Sequence, residues 1–297
     1  YKMSICIIES SVDRLRDPFV LVENEKDYMY GTDWIAYKSN GDLTRWEKIK
    51  GELVIVPPNC GGDKWAPEVY RYKGEYYMFT TYYSLLTKHR GCTVMKADSP
   101  EGPFSEISGG HITPVDWDSI DGTFFVDDDG QPWMVFVHEW TSTDDGIGRM
   151  AAAKLADDLT HFISEPIELF RADSPKWSSN RVTDGCFMYT MPDGRLLMIW
   201  SNFEGDENYC VGIAHSNNGK VDGEWIQEEN LLFSKKISEK YDGGHGMIFT
   251  GLDGRKYLSI HSPQDTSNKM LKEKPVFIPI VEKNGSIECK KIVNEEK

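Results

Sequence analysis

Hydrophobic and polar positions alternate in five similar stretches along this chain. The third stretch, from Asp121 to Trp140 (DGTFFVDDDGQPWMVFVHEW), shows the pattern most clearly. An acid and a small residue lead into a short apolar strand, an Asp-rich turn ends at Gly130, and a second apolar strand follows. This pattern indicates a hairpin, because Gly and Asp tolerate the backbone angles of tight turns. The other four copies begin at Arg16, Trp65, Thr183 and Gly243.

Each copy opens on a polar lead residue, and the leads are spaced 51, 53, 63 and 61 residues apart. The five lead residues are Asp17, Glu68, Asp121, Asp184 and His245. Two further strands complete most copies, and four strands per repeat are typical of a β-propeller blade. The repeat predicts an all-β fold, a five-bladed β-propeller that forms a single domain over residues 1–297. The predicted blades span residues 10–56, 57–109, 110–170, 171–233 and 234–297.

The two ends of the chain and three longer segments complete this prediction. An apolar strand from Ser4 to Ile8 either closes the ring in the last blade or adds to its edge. The tail from Lys272 alternates like a hairpin and is expected to complete blade five. Insertions at 84–90, 141–148 and 202–208 follow second strands, on the side where the lead residues begin. Loops on that face are expected to form the rim of a pocket.

Composition narrows the possible partners and compartments. Length alone would suggest about two domains, but a propeller grows by blades within one domain. A net charge of −15 argues against binding nucleic acid, and no apolar run reaches the ~18 residues that span a bilayer. The six cysteines contain no CxxC pair, so neither a zinc site nor a compact disulfide framework is visible. No signal segment begins at Tyr1.

Several carboxylates that meet at the axis of a rigid ring favour glycoside hydrolysis. This reaction uses one carboxylate to activate water and one carboxylic acid to protonate the leaving oxygen, and a third acid can raise the pKa of the proton donor. Trp65 and Trp140 offer flat apolar faces for sugar rings. Glu68 is expected to satisfy neighbouring polar groups. The residues expected by location to bind sugar hydroxyls are His89, Arg90, Asn202 and His261.

Four motifs together resemble glycoside hydrolase family 43 over essentially the whole chain. They are RDPFV at 16–20, WAPEV at 65–69, SIDGTFFVDDDGQPWMVF at 119–136 and GGHGMIF at 243–249. The resemblance implies a five-bladed propeller that inverts configuration and acts on plant polysaccharides containing arabinose, xylose or galactose. By position, Asp17 matches the general base and Asp121 the acid that tunes and orients the proton donor. His245 matches a channel histidine that lies near a calcium ion, with water between them.

The proton donor departs from the family pattern. The family usually has Glu in an EGP-like motif, whereas this chain reads Val-Thr-Asp-Gly-Cys at 182–186. Asp184 is one methylene shorter, so its carboxyl would lie about 1.5 Å further back. Glu139, in the HEW sequence at the end of blade three's second strand, is an alternative donor with a longer reach. Both residues are therefore candidates for the general acid.

These features lead to a functional expectation with open alternatives. The chain is expected to be an inverting, exo-acting hydrolase that releases α-L-arabinofuranose, with β-xylosidase and β-D-galactofuranosidase as alternatives. A carbohydrate-binding propeller without catalysis is a second class, and a scaffold for protein partners is a third, disfavoured by the acidic channel. No cofactor is expected to be required, although Ca²⁺ can occupy the channel. The protein is expected to act as a secreted periplasmic or extracellular monomer.

Overall fold

Residues 2–294, the part of the chain that the computed structural model describes, form five blade sheets around a central channel and one separate two-stranded sheet. Before the first sheet, the chain forms β1 (Lys2–Ile5) and β2 (Ile8–Glu9). Blade one contains β3 (Phe19–Glu23), β4 (Lys26–Gly31), β5 (Ile35–Ser39) and β6 (Glu47–Lys48). Blade two contains β7 (Trp65–Tyr72), β8 (Glu75–Tyr83), β9 (Arg90–Ala97) and β10 (Ser105–Glu106). The predicted five-bladed β-propeller is confirmed.

The remaining blades repeat the same antiparallel order. Blade three contains β11 (Ser119–Val126), β12 (Pro132–His138), β13 (Arg149–Lys154) and β14 (Ile167–Arg171). Blade four contains β15 (Asp184–Thr190), β16 (Leu196–Glu204), β17 (Asn208–Ser216) and β18 (Trp225–Gln227). After the short helix α1 (Lys235–Ser238), blade five begins with β19 (Gly244–Thr250), β20 (Lys256–Ser262) and β21 (Lys274–Lys283). The chain ends with β22 (Ser286–Cys289) and β23 (Lys291–Asn294). Within residues 2–294, no helix is long and apolar enough to cross a membrane.

The second strand of the chain, β2, closes the ring. β2 pairs antiparallel with β21, with Ile8 opposite Phe277, and supplies the outermost strand of blade five. The predicted strand from Ser4 to Ile8 is in fact divided, because β1 pairs instead with β23. β21, the first strand of the tail hairpin, is the third strand of blade five, as expected. β22 folds back on β21 outside the path of the blade, so β2, and not the second strand of the hairpin, supplies the fourth strand.

Apolar and aromatic side chains fill the space between adjacent blades. Phe19 of blade one lies 5.2 Å from Tyr70 of blade two, and Phe79 of blade two stacks at 5.2 Å on Phe124 of blade three. These side chains alternate with those of the opposite sheet face, as the two-residue period of a strand requires. Each blade therefore buries its faces only against its neighbours, which holds the inner strands in a fixed ring around the channel.

A β-bulge near the start of four inner strands directs side chains towards the channel. The pairing register shifts there between Trp65 and Glu68, Ile120 and Thr123, Asp184 and Phe187, and Gly244 and Met247. The first residue of each bulge, and Asp17 in blade one, adopts a positive φ. These five residues are Asp17, Ala66, Asp121, Gly185 and His245. Such bulges re-aim side chains and are common beside active sites.

Two of the five lead residues that the sequence suggested do not occupy this common position. Glu68 lies two residues after Ala66, and Asp184 lies one residue before Gly185. Glu68 is accordingly buried, and its Oε1 accepts hydrogen bonds from the hydroxyls of Tyr70 at 2.5 Å and Thr123 at 2.8 Å. Burial raises the pKa of Glu68 to about 8. The contacts agree with the expectation that Glu68 satisfies polar neighbours.

The loops on the face where the inner strands begin differ in part from the prediction. Segments Ser84–His89 and Glu139–Gly148 connect second and third strands, as expected. The segment 202–208 is not an insertion, because β16 and β17 continue through it and pair Glu204 with Asn208. A loop between β20 and β21, which the sequence analysis did not single out, lies on this face instead.

Candidate active site

A cavity of about 350 Å³ lies at the end of the channel where the inner strands begin. Its lining combines four carboxyl groups with two indole rings. The lining residues are Arg16, Asp17, Thr32, Trp65, Ile120, Asp121, Glu139, Trp140, Asp184, Tyr209 and His245. A larger groove of about 1140 Å³ runs along the outer parts of blades four and five, but it contains none of these residues. The convergence of carboxyl groups makes the smaller cavity the candidate active site.

Asp17 is held by neighbours from distant parts of the chain. Its Oδ1 lies 3.1 Å from Nδ1 of His245, and its Oδ2 accepts a hydrogen bond from the Thr32 hydroxyl. Its backbone N–H donates to Nδ1 of His261 at 3.1 Å. Burial by itself would raise the pKa of Asp17, but the neighbouring His245 and Arg16 outweigh burial and hold this pKa below its usual value. Asp17 is therefore ionised at neutral pH and can accept a proton.

Asp121 lines the same cavity as the other three carboxyl groups and is only 4% exposed. Its Oδ2 accepts a hydrogen bond from the backbone N–H of Gly185 at 3.0 Å and lies 3.9 Å from Nδ1 of His245. Burial raises the pKa of Asp121, and the negative charge of Asp17 raises it further. Because Gly185 directly follows Asp184, this hydrogen bond holds Asp121 close to the start of β15.

Asp184 reaches the cavity from the start of β15. Its Oδ2 accepts a hydrogen bond from the Tyr209 hydroxyl at 3.0 Å. Burial, reinforced by the negative charge of Asp121, raises the pKa of Asp184 well above its usual value. Asp184 is therefore protonated at a pH where Asp17 is ionised. Two carboxyl groups whose environments separate their pKa values can act as an acid and a base.

Glu139 also lines the cavity, but Arg90 holds it in a bidentate ion pair. Nε of Arg90 lies 2.6 Å from Oε1 of Glu139, and Nη2 lies 3.1 Å from Oε2. Burial raises the pKa of Glu139 although the ion pair lowers it. Because both oxygens accept N–H donors from a cation, the geometry is that of an ionised carboxylate. Arg90 thus occupies one acceptor site on each oxygen of Glu139.

The two tryptophans form apolar walls, and Arg90 connects one of them to the carboxyl groups. Trp65 and Trp140 both line the cavity. The guanidinium of Arg90 lies 5.2 Å from the ring centroid of Trp65, within the range of a cation–π contact. Arg90 thus contacts Trp65 and Glu139 at the same time. Its donors are directed at these two residues and at Asp63, 3.5 Å away.

Two residues that we expected to bind substrate hydroxyls lie outside the cavity, and these assignments were wrong. Asn202 is fully buried, donates to the Ala172 carbonyl at 3.0 Å and accepts from the backbone N–H of Phe203. His261 is also fully buried, and burial lowers its pKa to about 4. Strand pairing turns both side chains into the protein interior. There, Nδ1 of His261 accepts the hydrogen bond from the backbone N–H of Asp17.

His89 lies at the rim and not in the cavity lining. Its Nδ1 is 2.9 Å from Oδ1 of Asp118, and about a third of its side chain is exposed. Asp118 also accepts hydrogen bonds from the Thr141 hydroxyl at 2.7 Å and the backbone N–H of Arg90 at 3.2 Å. Asp118 thereby ties the two rim loops together. A role for His89 and Arg90 in substrate binding stays a prediction.

His245 does not belong to a ready-made set of metal ligands. It is 8% exposed, and its Nδ1 faces Asp17 and Asp121. Across residues 2–294, no group of three or more His, Cys, Asp or Glu side chains is arranged to hold a metal ion. Calcium takes six to eight oxygen ligands. The described residues do not fit direct coordination, so an ion beside His245 would depend largely on water.

Arg16, Thr32 and Tyr209 line the cavity, although the sequence analysis assigned them no role. Arg16 directly precedes the first positive-φ residue, as Asp184 does in blade four. An alignment of the repeats on the bulges would have placed Arg16 at the cavity. Tyr209 lies in β17, the third strand of its blade, and no local signal in the sequence indicates its position.

Comparison with known proteins shows the family. The family model described as "Glycosyl hydrolases family 43" matches residues 11–284. An extracellular exo-α-(1→5)-L-arabinofuranosidase of Cellvibrio japonicus is 26% identical over 88% of this chain and 82% of its own. An endo-arabinase structure from Bacteroides thetaiotaomicron is 38% identical over 95% of this chain and 99% of that chain, with a TM-score of 0.83. An endo-1,4-β-xylanase structure from the same organism, 24% identical over 95% of this chain and 96% of that chain, has a TM-score of 0.77 and shares the fold. The chain therefore belongs to glycosyl hydrolase family 43 and is a glycoside hydrolase.

Proposed function

We propose that this protein is an inverting, exo-acting hydrolase that removes terminal α-L-arabinofuranosyl residues from plant polysaccharides or oligosaccharides. The opposite protonation states of Asp17 and Asp184 in one cavity carry the proposal. Inversion requires an ionised base and a protonated acid on opposite sides of the scissile bond. The two carboxyl groups should lie about 6.5–9.5 Å apart, which leaves room for the attacking water.

In the proposed reaction, each carboxyl group has one task. Asp17 accepts a proton from a water molecule as the water oxygen forms a bond to the anomeric carbon. The bond from that carbon to the leaving oxygen breaks, and Asp184 transfers its proton to this oxygen. Asp121 keeps the pKa of Asp184 high through its negative charge and orients the backbone beside it. His245 and Thr32 orient the Asp17 carboxylate.

Between the two donor candidates, the contacts favour Asp184. Arg90 pairs with both oxygens of Glu139, whereas the Tyr209 hydroxyl occupies only Oδ2 of Asp184. Asp184 lies one residue before the positive-φ residue Gly185 and lines the cavity despite its shorter side chain. We assign Glu139 to the wall of the cavity, where its charge also helps to raise the pKa of Asp184.

Arabinofuranosyl specificity is supported by two relatives. The Cellvibrio japonicus relative is named an exo-acting arabinofuranosidase, and the 38% identical structure is titled an endo-arabinase. That title favours a second candidate function, cleavage within arabinan chains. The small cavity with two indole walls favours capture of a chain end. β-Xylosidase and β-D-galactofuranosidase activities are the further alternatives.

Digestion of arabinan, arabinoxylan and arabinogalactan, followed by chromatography, tests the proposal. We expect free arabinose to appear from the start of the reaction. Mixed-length oligosaccharides without monosaccharide would instead establish the endo-acting function. Aryl glycosides of arabinofuranose, xylose and galactofuranose rank the three sugars. The anomer first released, followed by NMR, distinguishes inversion from retention.

A catalytically inactive carbohydrate-binding propeller is the alternative that Asp17→Ala addresses. We expect this variant to lose turnover on every substrate, because water then lacks its base. A wild-type protein that binds arabino-oligosaccharides in calorimetry but releases no sugar, with Asp17→Ala indistinguishable from it, would favour the binding function.

We propose that a cation beside His245, if bound, is held through water and is not required for turnover. EDTA treatment should then leave kcat unchanged, and a loss of activity that calcium restores would contradict this.

Two relatives, from Cellvibrio japonicus and Bacillus subtilis, are named extracellular, which supports secretion of this protein. Fractionation of the native host, with detection by antibody, tests the location.

A further inference from the structure

We infer that Tyr209 is a positioning residue that decides which oxygen of Asp184 carries the transferable proton; this inference rests on the proposed role of Asp184. The Tyr209 hydroxyl donates to Oδ2 of Asp184 at 3.0 Å. Burial and nearby negative charge raise the pKa of Tyr209 well above 10, so its hydroxyl remains a donor throughout the reaction. With Oδ2 occupied by a donor, the proton of Asp184 resides on Oδ1.

Tyr209 is itself fixed in place from several sides. Its backbone N–H donates to Oδ2 of Asp242 at 3.1 Å, and its ring stacks on His261 with 5.8 Å between centroids. Phe203 packs against the ring at 5.1 Å. Gly244 leaves the space that the ring needs, because a Cβ there would lie 2.6 Å from two ring carbons. The hydroxyl therefore holds one direction, towards Asp184.

The hydrogen bond gains importance as the reaction proceeds. When the O–H bond of Asp184 breaks and its proton moves to the leaving oxygen, the electron pair stays on Asp184 as a carboxylate. The Tyr209 hydroxyl then donates to a charged acceptor, and such hydrogen bonds are roughly twice as strong as neutral ones. Tyr209 consequently stabilises the charge that develops in the transition state. It also lowers the pKa of Asp184 towards a useful range, against the effect of burial.

The substitution Tyr209→Phe tests the inference, since it removes the hydroxyl and keeps the ring. On arabino-oligosaccharides, whose leaving group is poor, we expect kcat/KM to fall roughly 10- to 100-fold, the loss typical of a hydrogen bond to a charged group. On an aryl arabinofuranoside with an activated leaving group, the fall should be less than about threefold, because little protonation is needed. The basic limb of the pH profile should move to higher pH, because the remaining effects raise the pKa of Asp184.

Tyr189→Phe is the matched control. Tyr189 lies in the same blade, and its hydroxyl donates to Oε1 of Glu282 at 2.7 Å, outside the cavity. This variant should keep the wild-type leaving-group dependence and pH profile. Equal losses on both substrates in Tyr209→Phe, with the basic limb unmoved, would overturn the inference and leave Tyr209 with a structural role. Thermal unfolding of both variants separates such a loss from misfolding.

Asp184→Asn separates this inference from the proposed function. A selective loss on poor leaving groups in Asp184→Asn, without one in Tyr209→Phe, overturns only the role of Tyr209. If Asp184→Asn keeps wild-type turnover on arabino-oligosaccharides, the donor assignment itself fails, and the role of Tyr209 fails with it.

Discussion

At the scale of single residues, the site depends on opposite environments for similar groups. Asp17 is surrounded by His245, Arg16 and a hydroxyl donor, whereas the main charged neighbour of the half-buried Asp184 is another acid, Asp121. Both are aspartates, so the difference in their pKa values comes entirely from their neighbours. Part of each environment comes from another blade, since His245 of blade five lies beside Asp17 and Asp121 of blade three acts on Asp184.

The pH dependence of kcat/KM should follow from the lowered pKa of Asp17 and the raised pKa of Asp184. In the proposed mechanism, activity requires ionised Asp17, so activity is lost as the pH falls through a pKa that lies below the usual 3.8. Activity also requires protonated Asp184, so it is lost as the pH rises through a pKa well above 3.8. A bell with a wide plateau is expected, and Asp184→Asn should remove its basic limb on an activated aryl glycoside. A basic limb below about pH 5 would contradict the assignment.

Gly185 illustrates how tightly one backbone position is constrained. Its φ is +48°, and a Cβ there would lie 2.8 Å from Cγ of His245. Gly185→Ala should lose the ~1–2 kcal/mol of a left-handed L-residue and, in addition, displace His245 and reduce activity. Gly194→Ala is the control, since Gly194 also has a positive φ (+89°) but no atom within 4 Å of the added Cβ. Urea unfolding and turnover measure both effects, and equal losses in the two variants would refute the clash.

At the scale of elements, the rim is organised by one arginine. Arg90, at the start of β9, reaches Glu139 at the end of β12, and Asp118 at the start of blade three accepts from its backbone. The Glu139 side chain is 4% exposed. A buried carboxylate that loses its partner is strongly destabilising, so Arg90 holds the wall of the cavity together.

Comparison of Arg90→Met with Glu139→Gln tests this ion pair. Arg90→Met leaves a buried carboxylate without its cation and should cost roughly 3 kcal/mol in the free energy of unfolding. Glu139→Gln removes the charge, keeps much of the shape and should cost clearly less. In the second variant, the ratio of activities on aryl and oligosaccharide substrates should remain that of the wild type. A selective loss on oligosaccharides would transfer the donor role from Asp184 to Glu139.

The sequence allowed the blades to be counted, because hairpin chemistry is local and recurs five times. It also brought Asp17, Asp121 and His245 to one ring, since these three share a repeat position. The positions of the bulges could not be read from the sequence. Glu68 was therefore aligned with the lead residues although it lies two residues beyond the shared position, and Arg16 received no role. It also placed Asn202 and His261 in the pocket, although strand pairing buries them. Such errors are expected, because a shift of one residue turns a side chain to the opposite face of a sheet.

At the scale of the whole molecule, the first segment of the chain and the last blade hold the ring closed. β2 pairs with β21, Glu273 lies 3.3 Å from both Arg14 and Arg16, and the backbone N–H of Leu15 donates to the Glu273 carbonyl. These contacts lie directly beside Asp17. We therefore expect the contacts that close the ring to affect both the stability of the fold and the position of Asp17.

Two truncations separate closure from terminal pairing. A chain that begins at Cys6 lacks only β1, which lies outside the ring, and should unfold at nearly the wild-type temperature. A chain that begins at Ser10 also lacks β2, and we expect its Tm to fall by roughly 5 °C or more, as a loss of about 2 kcal/mol would produce. Its kcat should fall as well, because the segment that carries Asp17 is less firmly held. Equal melting temperatures for the two variants would contradict this view.

Pairing of β2 with blade five also sets the time at which activity can appear during synthesis of the protein. Arg16 and Glu273 are 257 residues apart in the chain, and translation at about 5–20 residues per second takes roughly 10–50 s to span that distance. Until blade five has been made, β2 has no partner there, and Asp17 has neither His245 nor His261 beside it. A nascent chain of four blades thus carries Asp121 and Asp184 but no supported base. We expect hydrolysis to begin only after the last blade has been synthesised and has paired with β2.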